Sequence, residues 1–253
     1  MVADWQVVTR CLDLTLGTLL RQSDPGWRAV VCGQDLPPLP PDPRISGLRL
    51  DRPLDGDDKW AKITAILRHA PEDDALLFAL DADDLLVPGL VAHMRAAPAD
   101  GWLVTEGWSI DARTGAMGRH GQPDPGHPRR APFYRVCGTA GAVRRVAGDL
   151  KATRQMMVRH FELPETAPRH GQTLRPLPFP AAAYLVAHGE NQESRSGREG
   201  DKLRYIAANP VAEEEAAEVR RLLHLPEGPV FGAVAPPAAR DRGALTPPSP
   251  RPA

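Results

Sequence analysis

Three aspartates, Asp81, Asp83 and Asp84, follow directly on the apolar run ALLFAL at 75–80 in a chain of 253 residues. The run is short and bounded by polar residues, the pattern of a buried strand. In open α/β sheets, ligands bind beyond the carboxyl ends of the strands. Two carboxylates two positions apart in a chain leaving a strand can point to one side, where hard oxygen donors suit Mg²⁺ or Mn²⁺ bridging a diphosphate. A cation held there would stabilise charge on a departing phosphate. Asp84 has a second use, as the N-cap of a helix expected to begin near Leu85, but three aspartates exceed what one cap needs.

Other aspartate chemistries fit poorly. An EF-hand loop counted from Asp81 lacks the glycine at position six and the glutamate at position twelve. A phosphatase of the aspartyl-phosphate type needs a second acidic pair downstream, and no Asp-Asp or Asp-Glu pair follows Asp84. The three cysteines, Cys11, Cys32 and Cys137, are odd in number and lack CxxC spacing, which indicates buried thiols rather than a disulfide framework or a zinc knuckle.

The elements that must position these groups belong to a chain long enough for one α/β core plus appendages. Hydrophobic residues make up 42% and charged residues 25%, enough for a packed core. No run approaches the roughly 20 apolar residues of a membrane span, and no basic leader opens the chain, so a soluble, cytoplasmic protein without a transmembrane segment is expected. Net charge is −1, and nothing global attracts nucleic acid. The halves differ: Lys+Arg against Asp+Glu is 12 to 19 over residues 1–124 and 19 to 13 over 125–253. That asymmetry suits carboxylates holding a cation opposite arginines receiving an anion, and equally suits two independently solvated surfaces.

Apolar spacing predicts helices over 4–22, 57–69, 88–97, 148–160 and 211–223, and strands at 27–32, 48–50, 75–80, 102–108 and 183–186, with a strand-like turn at 137–144. Residues 114–132, rich in Gly, Pro and His, read as a long mobile loop. The alternation predicts an α/β fold with a mostly parallel open sheet flanked by helices. Residues 236–253, a Pro-rich tail without periodicity, are expected to be disordered.

Five segments together resemble the GT-A glycosyltransferases, close to the family 2-like bacterial enzymes: CLDLTLGTLLRQSDPGW at 11–27, KWAKITAIL at 59–67, FALDADDLLVP at 78–88, CGTAGAVRR at 137–145 and YLVAHGENQES at 184–194. The resemblance implies a Rossmann-like GT-A domain over 1–210, N-terminally short because the family's opening strand has no counterpart. A helical extension at 211–235 and the tail would follow. It also implies transfer of a sugar from a nucleotide-diphosphate donor to a glycan or other acceptor, with Mn²⁺ or Mg²⁺ as cofactor.

By position, Asp81 and Asp83 resemble the family's DXD pair, both candidates for the metal, with Asp83 as the direct ligand and Asp81 nearer the ribose. Asp35 corresponds to the acidic residue that contacts the donor base. Lys59 and Lys62 stand where the family has a basic residue near base or phosphate, and as plainly read as exposed charges on an amphipathic helix. His188 follows a strand where some of these enzymes supply a further metal ligand; a lone loop histidine is also commonly structural. The family's acidic pair after the glycine-rich segment is missing. Glu162, Glu165 and His160 lie in that region and meet the chemical requirement for a proton acceptor, and Glu162 is the candidate base. Two other readings stand beside the transferase: a catalytically inactive relative that binds a nucleotide-sugar or a protein, and a metal-dependent phosphohydrolase.

Overall fold

Asp4 caps the first helix, α1 (Trp5–Leu20), by accepting from the backbone N–H groups of Gln6 and Val7, which satisfies two of the donors that a helix start leaves open. The computed structural model describes residues 4–51, 58–70, 75–191, 194 and 196–232. Buried hydroxyls on the inner face of α1 find partners instead of water. Thr18 Oγ1 donates to the Thr15 carbonyl at 2.7 Å and accepts from Leu86 N at 3.2 Å. Gln22 donates to the Val87 carbonyl at 2.8 Å and accepts from Val91 N at 3.0 Å. These bonds fix α1 against the strand Asp84–Leu86 and the helix α3 (Leu90–Ala96).

The strands form three sheets. β1 (Ala29–Gly33) and β2 (Ile45–Arg49) pair in parallel. A second sheet runs β4 (Asp84–Leu86), β10 (Ala182–Val186), β6 (Gly107–Asp111), β7 (Met117–His120), and a third runs β3 (Leu76–Phe78), β8 (Gly141–Arg144), β5 (Gly101–Leu103), β9 (Leu174–Pro176). Helices α2 (Lys59–His69) and α4 (Leu150–Val158) pack on each other, and α2 also contacts β1. The chain is therefore α/β, with mixed sheets flanked by helices.

The mostly parallel sheet expected from the sequence is corrected here. Among the described residues only β1–β2, β6–β10 and β5–β9 pair in parallel, and the other four pairings are antiparallel. One cause is local. The β6–β7 connection closes tightly, with Gly115 N donating to the Asp111 carbonyl at 2.8 Å and Gly115 at φ 76°, a backbone state that favours glycine. The hairpin so formed places β7 inside the stretch 114–132 that reads as a loop. The other cause is long-range: β8 slots between β3 and β5, antiparallel to both.

Two further expectations change. The strand at 102–108 is two strands in different sheets, β5 and β6. Asp84 begins strand β4 instead of capping a helix, and the next helix starts only at Leu90. The helix Glu199–Ala208 and β9 have no counterpart in the sequence reading. The helix Glu213–Leu223, read as an extension, sends Val219 and Leu223 into the same core as Ile110 and Leu185. The tail from 236 onward, and the expected helix start at 57, lie outside the described residues.

Candidate functional site

The acidic segment is a tight turn between β3 and β4, closed by Asp84 N donating to the Asp81 carbonyl at 3.1 Å. Its three carboxylates leave in different directions. Asp81, with a side chain 35% exposed, pairs with Lys59 Nζ at 2.7 Å. Asp83, 21% exposed, meets His188 Nε2 at 3.0 Å. Asp84 is fully buried and accepts from Cys137 Sγ at 2.9 Å and from the Thr139 hydroxyl, both on its Oδ2.

The segment Cys137–Thr139 ahead of β8 holds this turn from below. Thr139 Oγ1 accepts from Asp81 N at 3.1 Å while donating to Asp84, so one buried hydroxyl ties both ends of the turn together. A Cβ at Gly138 would overlap Asp81 Oδ2 and Lys59 Nζ, so any side chain there would displace the ends of the ion pair. Lys59 is the first residue of α2. Burial lowers its pKa, and the charge and hydrogen bond of Asp81 outweigh that, leaving it above the ordinary lysine value. Burial, then the charges of Asp83 and Asp81, push the Asp84 carboxyl well above the usual range. Its Oδ1 has no hydrogen-bond partner. Burial likewise raises the Cys137 thiol, with Asp84 and Asp81 adding to it, which keeps it a protonated donor.

His188 follows β10, and its approach is set by the backbone. Ala187 sits at φ 63° and Gly189 at φ 90°, so the strand breaks into a turn that delivers the imidazole, 3% exposed, to Asp83. Nδ1 accepts from Glu190 N at 3.4 Å; Nε2 then carries the proton donated to Asp83.

The remaining candidates are held elsewhere. Asp35 faces Arg49 at 3.7 Å on an open surface, 76% exposed. Lys62 pairs with Asp58 at 2.7 Å, and its charge acts on Cys32 of β1. Glu162 pairs with Arg159 at 3.0 Å. The structure thus joins Lys59 to Asp81 and Asp83 to His188, and it brings neither Asp35, Lys62 nor Glu162 into these pairs.

Residues that the sequence did not single out complete the surroundings. Gly138 and Thr139 lie in a segment quoted only for its resemblance. Lys202, on the unread helix Glu199–Ala208, donates to the Val136 carbonyl at 3.3 Å and lies over the Tyr184 ring at 5.3 Å. Tyr184 is the β10 partner of Asp84.

Among the described residues no three His, Cys, Asp or Glu side chains form a metal cage. Asp83 offers one carboxylate oxygen, and His188 offers one ring nitrogen once a cation displaces the proton that Nε2 shares with Asp83. Such a two-donor set fits Mg²⁺ or Mn²⁺, which take their remaining ligands from water and substrate phosphates. A cavity of about 570 Å³ lies away from the turn, lined by Glu106, Arg119, His120, His127, Arg130 and Glu215 among others, and none of the candidate residues lines it. Its arginines are paired with carboxylates, Arg119 with Glu106 and Glu215 and Arg130 with Asp124. Comparison of the chain with family models, with curated proteins and with solved structures finds no match.

Proposed function

We propose that this chain is a metal-dependent glycosyltransferase with a Rossmann-like GT-A core, moving a sugar from a nucleotide-diphosphate donor to a glycan or other acceptor. One observation carries the reading: a single turn at a strand end mounts two pairs, Lys59–Asp81 and Asp83–His188, each joining a carboxylate to a nitrogen base. Asp83 and His188 are the residues that would hold Mn²⁺ or Mg²⁺, and such an ion offsets charge on a leaving diphosphate when bound.

The chain's own groups do the rest. Asp81 keeps Lys59 cationic and fixes the direction of its ammonium, a point charge of the kind that meets phosphate oxygens. Thr139 holds the turn's geometry through Asp81 N and Asp84, a preorganisation that costs no rearrangement when charge develops. Buried Asp84 braces the turn from the core side.

The test is titration with UDP and Mn²⁺, followed by a panel of nucleoside-diphosphate sugars. Slow donor hydrolysis or sugar transfer that disappears in Asp83→Ala supports the transferase. Binding without any turnover identifies an inactive relative, and release of inorganic phosphate without sugar transfer identifies a phosphohydrolase.

A further inference from the structure

The cavity of about 570 Å³ is built on a different part of the fold from the acidic turn. β6 and β10 run in parallel, from Gly107 and Ala182 to Asp111 and Val186. His188 follows the far end of that pair, whereas Glu106 precedes the near end and His120 is the β7 partner of Gly107. Glu106 and His120 both line the cavity, which therefore opens at the end of the sheet opposite to His188. Its walls are fixed by backbone pairing. Arg119 N donates to the Asn209 carbonyl at 2.8 Å, and Val211 N donates to the Met117 carbonyl at 3.2 Å. The Tyr205 hydroxyl accepts from Ala131 N and donates to the Arg119 carbonyl, each at 3.1 Å.

Two arginines face three carboxylates around this space: Arg119 meets Glu106 and Glu215, and Arg130 meets Asp124. With His127 neutral, the balance is negative, which disfavours a phosphate or a nucleotide. The pairing leaves these groups half used. Among the described residues, Glu106 bonds through Oε2 alone and Glu215 through Oε1 alone, so each carboxylate keeps a second oxygen as an acceptor. Arg130 bonds through Nη1 and keeps Nη2 as a donor, and the Gln122 amide borders the same space. A hydroxyl donates one hydrogen bond and accepts two, so it uses both kinds at once. An ammonium would leave the donors unmatched, and a phosphate would leave the acceptors unmatched. Pro210, Val211 and Ala212 add a stretch of wall without side-chain polar atoms, which suits the C–H face of a sugar ring.

We infer that this cavity is a binding site for a neutral, hydroxyl-rich glycan, separate from the acidic turn. The volume falls within the range of about 300–1,000 Å³ typical of small-molecule sites. The ion pairs hold their side chains in place before any ligand arrives, so binding orders few of them. No bond is made or broken there: the site retains a sugar chain at the far end of the sheet. It goes beyond the transferase reading and stands without it.

The probes are neutral trisaccharides of glucose, galactose, mannose and N-acetylglucosamine, with inorganic phosphate and spermidine as charged counterparts. Each is titrated into the whole chain by calorimetry and by saturation-transfer NMR. At least one trisaccharide is expected to bind saturably, with a Kd of about 1 mM or tighter, and phosphate is expected not to compete. Arg130→Gln should weaken that binding about 10-fold. Ala212→Trp, at an exposed position where an indole ring fills the opening, should abolish it, and Asp83→Ala should leave it unchanged. The inference is overturned if no trisaccharide binds saturably, if phosphate or spermidine takes the cavity in preference, or if both cavity variants, folded as wild type by circular dichroism, bind as before. Binding lost in Asp83→Ala and kept in Ala212→Trp puts the sugar at the acidic turn and also overturns it. A chain that binds the trisaccharide at the cavity and transfers no sugar upholds this inference and counts against the transferase reading alone.

Discussion

Asp83 and His188, 105 positions apart in the chain, meet at 3.0 Å because of strand register. β10 runs antiparallel to β4 with Tyr184 opposite Asp84, so the chain leaving β10 travels back past the start of β4 toward the acidic turn. Every residue of β10 is buried, and a slip of one position would turn its side chains to the opposite faces of the sheet. The packing of an apolar strand thereby sets the spacing of a polar pair. Replacing Asp83 by Asn or His188 by Ala should weaken Mn²⁺ binding in the presence of UDP by at least about 10-fold, read by calorimetry or by the Mn²⁺ spin-resonance signal. Unchanged affinity in both variants would remove the pair from the metal site.

Gly138→Ala places a methyl group where Asp81 Oδ2 and Lys59 Nζ now sit. The ends of the pair must swing apart, which costs little packing because both are flexible side-chain termini, and the expected effect on the urea midpoint is a small lowering. UDP affinity should fall with it. A variant as stable as wild type that binds UDP equally well would show that the close approach is incidental.

Asp84 makes a signed prediction about pH. Its pKa in the fold is raised well above the ordinary value, so the folded chain holds a proton that the unfolded chain loses above about pH 3.9. The stability this contributes is complete below that value and drains as pH rises toward the folded pKa. Asp84→Asn cannot titrate. The wild type should therefore lose stability relative to this variant as pH rises above about 4, by urea melts of both proteins. A wild type that gains on the variant as pH rises has the opposite sign and refutes the protonated state.

His120 predicts the opposite slope. Burial holds its pKa at about 3, against the Ala131 hydrogen bond and with Lys202, Arg119 and Arg130 acting in the same direction as burial. The neutral ring is bonded to Ser109 Oγ at 2.7 Å and stacked on Tyr205. Stability from this depressed value is intact above about pH 6.5 and is lost as pH falls toward 3. At pH 5 the loss is about 2 kcal/mol. His120→Gln should lack that component, so the wild type should lose more stability than the variant between pH 7.5 and pH 5; parallel losses would contradict a buried neutral ring.

Local rules reach some of this structure from the sequence and stop short of the rest. ALLFAL, expected as a buried strand over 75–80, forms only the half-buried Leu76–Phe78, while α1 is legible because its apolar residues recur at helical spacing. The roles of Gly138 and Thr139 are not, since they exist only once β8 pairs with β3, Phe78 opposite Ala142, a contact between segments far apart in the chain. The sheet directions fail for the same reason: three-residue strands such as β4 and β9 carry too few side chains to show a period. Lys59 lay within reach as a charge near the turn. Its pairing with Asp81, and the separation of Glu162 from both, depend on how α2 and the His160 turn are docked.

Ala187 is one of two non-glycine residues with positive φ among those described, and it stands immediately before His188. An alanine there carries backbone strain on the order of 1 kcal/mol or more that a glycine would release. Conformational breadth in the unfolded chain acts the other way, and a glycine would also loosen the one joint that aims the imidazole. An engineer seeking a sturdier protein and one seeking a faster catalyst would choose different residues at this position.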